Sequence, residues 1–230
     1  MKTLGLIGGM SWESTIEYYR VINKLINERL GGWNSAKLFL CSVNFEEILA
    51  LQKDGKWEEI ANIMIDISKN LEKIGSSAIL ICSNTMHKIA NEIEKQINIP
   101  LIHVVDETAN KIKSEMIETI GLLGTNFTME GGFYKERLVN KYGLKVILPE
   151  KVNRDYIHST IYNELAQGDF KTSTKEKFIE IINELTIRGA QGVIMGCTEI
   201  PLLIKQEDVD IRLFDTLKIH LEAAIDFALI

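Results

Sequence analysis

The chain has too few cysteines, too little positive charge and no apolar run of the length that three large classes of protein require. Three cysteines in 230 residues are an odd number and do not make a disulfide framework; they fit free thiols in a reducing compartment. Lysine and arginine number 26 against 32 aspartate and glutamate, the net charge is −6, and no basic block stands out, which excludes a surface that tracks nucleic-acid phosphates. The longest charge-free stretch near the start, Thr3 to Trp12, is broken by Gly5, Gly8 and Gly9 and is too short for a signal peptide or a membrane span. What remains is a cytoplasmic globular protein with a small-molecule partner, no nucleic acid and no membrane.

Cofactor signatures are missing as well. There is no Walker lysine, no Gly-x-Ser-x-Gly elbow and no Cys-x-x-Cys pair. Gly5-Leu-Ile-Gly8-Gly9 lacks the spacing of a dinucleotide loop, and no acidic residue closes the strand that follows. His87 has no second histidine or cysteine at ligand spacing, so the sequence assigns it packing or capping rather than a metal or a general base. The expectation is an active site without cofactor or metal.

The chain does have a repeat. Gly75-Ser-Ser-Ala-Ile-Leu-Ile-Cys-Ser-Asn-Thr-Met-His87 and Gly189-Ala-Gln-Gly-Val-Ile-Met-Gly-Cys-Thr-Glu-Ile-Pro201 share one grammar: a helix ending at glycine, a buried apolar strand, then a small polar nucleophile ahead of another helix. Aligning Gly75 with Gly189, an offset of 114, sets Ser83 opposite Cys197. Thr3-Leu-Gly-Leu-Ile-Gly-Gly9 recurs as Thr119-Ile-Gly-Leu-Leu-Gly-Thr125 at an offset of 116, so two independent matches point to a duplication. With 46% hydrophobic residues, the chain can bury a core in each of two lobes of about 100 residues.

Periodicity fills in the elements. Strands are predicted at Thr3–Ile7, Lys37–Val43, Ala78–Cys82, Pro100–Val105, Leu144–Leu148, Gly192–Gly196 and Ile211–Phe214, besides Thr119–Leu123 inside the repeat, with helices between them. Such alternation predicts an α/β fold of two pseudo-symmetric lobes, each a mostly parallel sheet flanked by helices, with the site in the interlobe cleft. Residues 1–102 with 212–230 form the predicted first lobe and 103–211 the second. The crossings fall near Ile102–Asp106 and Glu207–Arg212, where Asp106 and Asp215 read as N-terminal caps.

In such sheets ligands sit at the carboxyl ends of strands. Four turns qualify: Gly8–Ser11, Ser83–Thr85, Gly124–Thr128 and Cys197–Glu199. If each opens a helix, each offers free N–H groups and the positive end of a dipole, which suits carboxylates and would lower the Cys197 pKa toward a thiolate base. A lone cysteine is usually buried packing, and Cys41 and Cys82 read that way; the strand-end position and the polar Thr198-Glu199 behind it favour chemistry for Cys197. Ser83 alone reads as a helix cap, a role compatible with chemistry.

Met1-Lys-Thr-Leu-Gly-Leu-Ile-Gly-Gly-Met-Ser-Trp-Glu-Ser-Thr15, Asn84-Thr-Met-His87, Gly121-Leu-Leu-Gly-Thr125 and Gly196-Cys-Thr-Glu-Ile200 together resemble the aspartate/glutamate racemase family over the whole chain. The resemblance implies a cofactor-independent amino-acid racemase in which two residues, here Ser83 and Cys197, pass the α-proton across opposite faces of the substrate; it also implies a homodimer. This chain departs from the family pattern at Ser83, where the family usually has cysteine, and is closest to broad-specificity members with a hydroxyl there. Gln52 and Ala166 stand where aspartate-specific members have arginine and lysine. The resemblance and strand-end position together put substrate contacts in the first lobe on Met10, Ser11, Gln52, Asn84 and Thr85, and in the second on Thr125, Thr128, Thr198 and Glu199, with Glu199 orienting the Cys197 proton. A hydantoin racemase, arylmalonate decarboxylase or maleate isomerase, or a non-catalytic amino-acid-binding homologue, is the alternative.

Overall fold

The computed structural model describes residues 1–230. Its order is β1 (Leu4–Gly8), α1 (Trp12–Leu30), β2 (Leu38–Ser42), α2 (Phe45–Lys53), α3 (Trp57–Lys73), β3 (Ala78–Ile81), a 3-10 turn (Thr85–Ile89), α4 (Ala90–Glu94), α5 (Val104–Ser114) and β4 (Thr119–Leu123). Then follow α6 (Asn126–Glu130), α7 (Phe133–Tyr142), β5 (Lys145–Ile147), α8 (Lys151–Asn163), a 3-10 turn (Leu165–Gln167), α9 (Thr172–Ile187), β6 (Gly192–Met195), α10 (Ile200–Leu203), a 3-10 turn (Gln206–Asp208), β7 (Arg212–Asp215) and α11 (Thr216–Leu229). No helix is long and apolar enough to cross a membrane.

The chain divides into two compact units, Met1–His103 with His220–Ile230, and Val104–Ile219. The first holds a three-stranded parallel sheet in the order β2-β1-β3, to which Leu101 adds one parallel bridge at Ile79. The second holds a four-stranded parallel sheet in the order β5-β4-β6-β7. Ala-Ile-Leu-Ile in β3 and Gly-Val-Ile-Met in β6 are buried at every residue, as strands of a parallel sheet covered on both faces must be. Ile60, Met64 and Leu71 of α3 pack with Ile7, Ile79 and Ile81 in the first core, while Phe178, Ile181 and Leu185 of α9 pack with Ile120, Val193 and Phe214 in the second.

The local predictions differ from the structure at several ends. β7 is hydrogen-bonded to β6, which keeps Arg212–Ile219 with the second unit, so the second boundary falls within α11 rather than near Glu207–Arg212. The strand expected over Pro100–Val105 shrinks to the bridge at Leu101, because α5 begins at Val104. Asp106 therefore lies inside the first turn of α5, and its carboxylate pairs with Arg137 at 2.6 Å and Lys141 at 2.7 Å. Asp215 does cap: its Oδ1 accepts the N–H groups of Leu217 at 3.0 Å and Lys218 at 3.2 Å.

Gly9, which follows β1, is a position where only glycine fits. Its φ is +90°, and a Cβ there would lie 2.2 Å from the Val43 carbonyl oxygen and 2.6 Å from the Val43 nitrogen. Neither backbone atom can swing aside, so Gly9→Ala is expected to cost about 3 kcal/mol or more from strain plus overpacking. Chemical denaturation would measure it, and a variant within about 1 kcal/mol of wild type would show that the β1–α1 turn is looser than described.

Candidate active site

In the first unit, β1 and β3 are neighbours, so the turns that leave their carboxyl ends lie side by side. The Gly9 N–H donates to Thr15 Oγ1 at 2.8 Å, and Ser11 caps α1 by accepting the Ser14 N–H at 3.4 Å. One turn further along α1, the Ser14 hydroxyl donates to the Cys82 carbonyl at 3.2 Å, tying the β1 turn to the β3 turn. Met10 is buried in the first core, Asn84 is buried, and Ser83 and Thr85 are half-buried. β2 runs beside β1 and feeds α2 through the cap Asn44; Gln52 near the end of α2 is buried although it is polar. Cys82 is wholly buried, which pushes its thiol far above the ordinary range.

In the second unit, β4 and β6 are likewise neighbours. The Gly196 N–H donates to the Leu123 carbonyl at 2.7 Å, and a Cβ on Gly196 would sit 2.7 Å from that same oxygen, so the residue before Cys197 has room for no side chain. Thr125 caps α6 by accepting the Thr128 N–H at 3.4 Å, and its hydroxyl lies 3.4 Å from that of Thr128. Thr128 in turn lies against Gly124 and Gly196, where its Cγ2 is 3.1 Å from each of their added Cβ positions. The Cys197 thiol donates to Glu199 Oε2 at 2.7 Å, and the Thr198 hydroxyl donates to the same oxygen at 3.0 Å.

The thiol departs from the sequence expectation. Burial, and then the adjacent Glu199 carboxylate, push Cys197 well above the ordinary thiol range instead of lowering it. The helix that was to depress it starts only at Ile200 and is four residues long, because Cys197-Thr-Glu199 is spent on a turn in which the Cys197 carbonyl accepts the Ile200 N–H at 3.2 Å. Only the Gly8–Ser11 turn opens a long helix; the others lead into short α or 3-10 turns, which have little dipole to offer. Resting Cys197 is a protonated thiol with a carboxylate acceptor in place.

Two residues beside this group escaped the sequence reading. His158 and Tyr162 lie one turn apart on α8; the His158 Nδ1 accepts the Asn126 N–H at 3.3 Å, and the two rings meet edge to face at 5.0 Å. Burial, followed by the negative charge that Cys197 and Glu199 carry at the high pH where a phenol titrates, pushes the Tyr162 phenol up to about 12, so it stands next to that pair as a neutral hydroxyl. The i, i+4 spacing of a histidine and a tyrosine was their only trace in the sequence, and on a helix it is ordinary. No three His, Cys, Asp or Glu side chains gather in a metal-holding group.

The profile of the Asp/Glu/hydantoin racemase family matches residues 7–224. The chain belongs to that family. Among solved structures, a proposed Asp/Glu racemase from Yersinia pestis is 46% identical with a TM-score of 0.96, both chains being covered completely. An aspartate racemase homologue from Pyrococcus horikoshii is 34% identical with a TM-score of 0.90, again over the whole of both chains. The broad specificity amino-acid racemase RacX of Bacillus subtilis is 22% identical over 221 residues, 93% of this chain and 92% of its own. This protein is an isomerase, and its relatives support an amino-acid racemase.

One further group in the first unit sets its response to pH. His220 is wholly buried and pushed down from 6.5 to about 4 by that burial. Its Nε2–H donates to the Ile102 carbonyl at 2.7 Å, which leaves Nδ1 to accept the Tyr18 hydroxyl at 2.9 Å. The unfolded chain binds this proton below 6.5 and the folded chain only near 4, so stability falls as pH drops through that window, by about 3 kcal/mol from this group. Denaturation of wild type and His220→Gln from pH 7 to pH 4 should show a shallower decline in the variant. Parallel declines would mean that His220 titrates normally.

Proposed function

We propose that this chain is a cofactor-independent racemase of aspartate or glutamate in which Cys197 and Ser83 move the α-proton. The observation that carries the reading is the Cys197 thiol donating to Glu199 at 2.7 Å beside a strand end rich in small and hydroxyl residues. A protonated thiol is not a base until it loses its proton, and Glu199 is poised to take it. The resulting thiolate abstracts the α-proton, and the electron pair moves into the substrate carboxylate as an enediolate. Hydroxyl and amide donors such as Asn84, Thr85, Thr125 and Thr198 stabilise that charge where it develops. The Ser83 hydroxyl then delivers a proton to the opposite face; its oxygen is reprotonated from water and Glu199 returns its proton to water, so that one α-hydrogen has been exchanged and no charge gained.

Gln52 and Ala166 bring no positive charge to a second carboxylate, so Met10, Ser11, Gln52 and Thr128 contribute neutral contacts in this reading. A homodimer is part of it: Trp12, Ile16 and Tyr19 expose an apolar stripe along one flank of α1 that a second copy would cover.

The test is a panel of L- and D-amino acids and hydantoins incubated in D₂O and scored by NMR for α-deuterium. Exchange into aspartate or glutamate, unchanged after dialysis against chelator and without added pyridoxal phosphate, is the expected result. Exchange confined to hydantoins, or none at all, would overturn the assignment.

A further inference from the structure

Three of the four histidines in the chain gather in the first unit, at a place the proposed reaction does not use. His87 packs its ring on His103 at 4.7 Å between centroids and against His220 edge to face at 5.6 Å. All three are buried. His103 is the last residue of the chain before it leaves the first unit and His220 the first after it returns, so His87 rests on both ends of that excursion. Tyr18 closes the cluster from α1 through its bond to His220. The cluster is not built for a metal: His87 Nδ1 and His220 Nε2 are each committed to a backbone carbonyl.

His87 Nδ1 lies 2.8 Å from the Ser83 carbonyl, which can only accept, so Nδ1 carries the proton. The preceding carbonyl, that of Cys82, is held by the Ser14 hydroxyl. Two successive peptide planes, one on each side of Ser83, are thus fixed by side chains from outside the turn. Fixing both planes fixes φ and ψ of Ser83 and hence the direction of its Cα–Cβ bond.

We propose that His87 is a positioning residue for Ser83: it clamps the Ser83 carbonyl while Ser14 clamps the one before it, and His103, His220 and Tyr18 hold the His87 ring in the plane that makes this bond. The inference rests on Ser83 taking part in the reaction. A hydroxyl that must reach one face of an α-carbon loses up to about a hundredfold in rate for a displacement of about 1 Å, so the clamp matters for turnover more than for binding.

Three variants test it, with racemisation and α-deuterium exchange measured for each enantiomer. His87→Leu keeps the volume and removes the donor; kcat should drop at least about tenfold with KM within about twofold, while exchange of the enantiomer that faces Cys197 persists. In His87→Asn the side-chain Nδ2 stands in for Nδ1–H, and most of the rate should return. A folded His87→Leu with wild-type kcat, or His87→Leu and His87→Asn equally impaired, would overturn the positioning role. Ser83→Ala separates the two ideas: wild-type racemisation there removes Ser83 from the reaction, whereas loss there with none in His87→Leu removes only the clamp. Long-range ¹⁵N NMR of the wild-type histidines needs no variant to fold, and a His87 ring protonated at Nε2 rather than Nδ1 would also defeat the proposal.

Discussion

Cys197→Ala is expected to lower α-proton exchange with both enantiomers at least about a thousandfold while leaving the denaturation midpoint close to wild type. The sulfur is the only strong base available to the proposed pair once Glu199 has taken its proton, and no neighbouring group can replace it: Thr198 offers a hydroxyl, and Tyr162 keeps its proton up to about 12. Losing one partly buried thiol from the edge of the second core should cost about 1 kcal/mol, too little to unfold a domain of this size. Because burial and Glu199 hold the resting thiol above its ordinary range, alkylation of Cys197 by iodoacetamide should be slow at neutral pH and still be accelerating at a pH where an ordinary exposed thiol has reached its plateau. Retained exchange in a folded Cys197→Ala protein would take this residue out of the mechanism.

Ser83→Cys is expected to raise kcat/KM by about tenfold or more, and by the same factor for the L and D substrates. A hydroxyl can give a proton to an enediolate, but to remove one it must become an alkoxide, which lies much further out of reach at neutral pH than a thiolate. In the proposed mechanism that step limits the wild-type reaction. Enantiomers have equal free energy in water, so the equilibrium constant is one and kcat/KM must match in the two directions; easing the slow step raises both together. Exchange without turnover is not bound in this way, and wild-type protein should wash deuterium faster into the enantiomer that faces Cys197. If Ser83→Cys folds and leaves both rates unchanged, or if wild type exchanges both enantiomers equally fast, the pairing of Ser83 with Cys197 fails.

The sequence by itself determined the alternation of strand and helix, the paired sheets and the strand-end turns. Those features are written in local apolar runs such as Ala78–Ile81 and Gly192–Met195 and in the glycines that follow them or their repeats, such as Gly9 and Gly196. It also carried the family, because the motifs around Gly8, Asn84, Gly124 and Cys197 are short and contiguous.

What it could not determine depends on residues far apart in the chain. β7 belongs to the second sheet because of its pairing with β6, a contact that no local pattern announces, so the local pattern puts the return to the first unit several residues before its place in α11. The state of Cys197 follows from burial and from the rotamer that brings Glu199 to its sulfur, and these reversed the shift that a helix start alone suggested. His87, assigned to packing for want of a second ligand at nearby spacing, gains its neighbours from His103, His220 and Tyr18, which only folding brings together, because long-range contacts leave no period in the sequence that makes them.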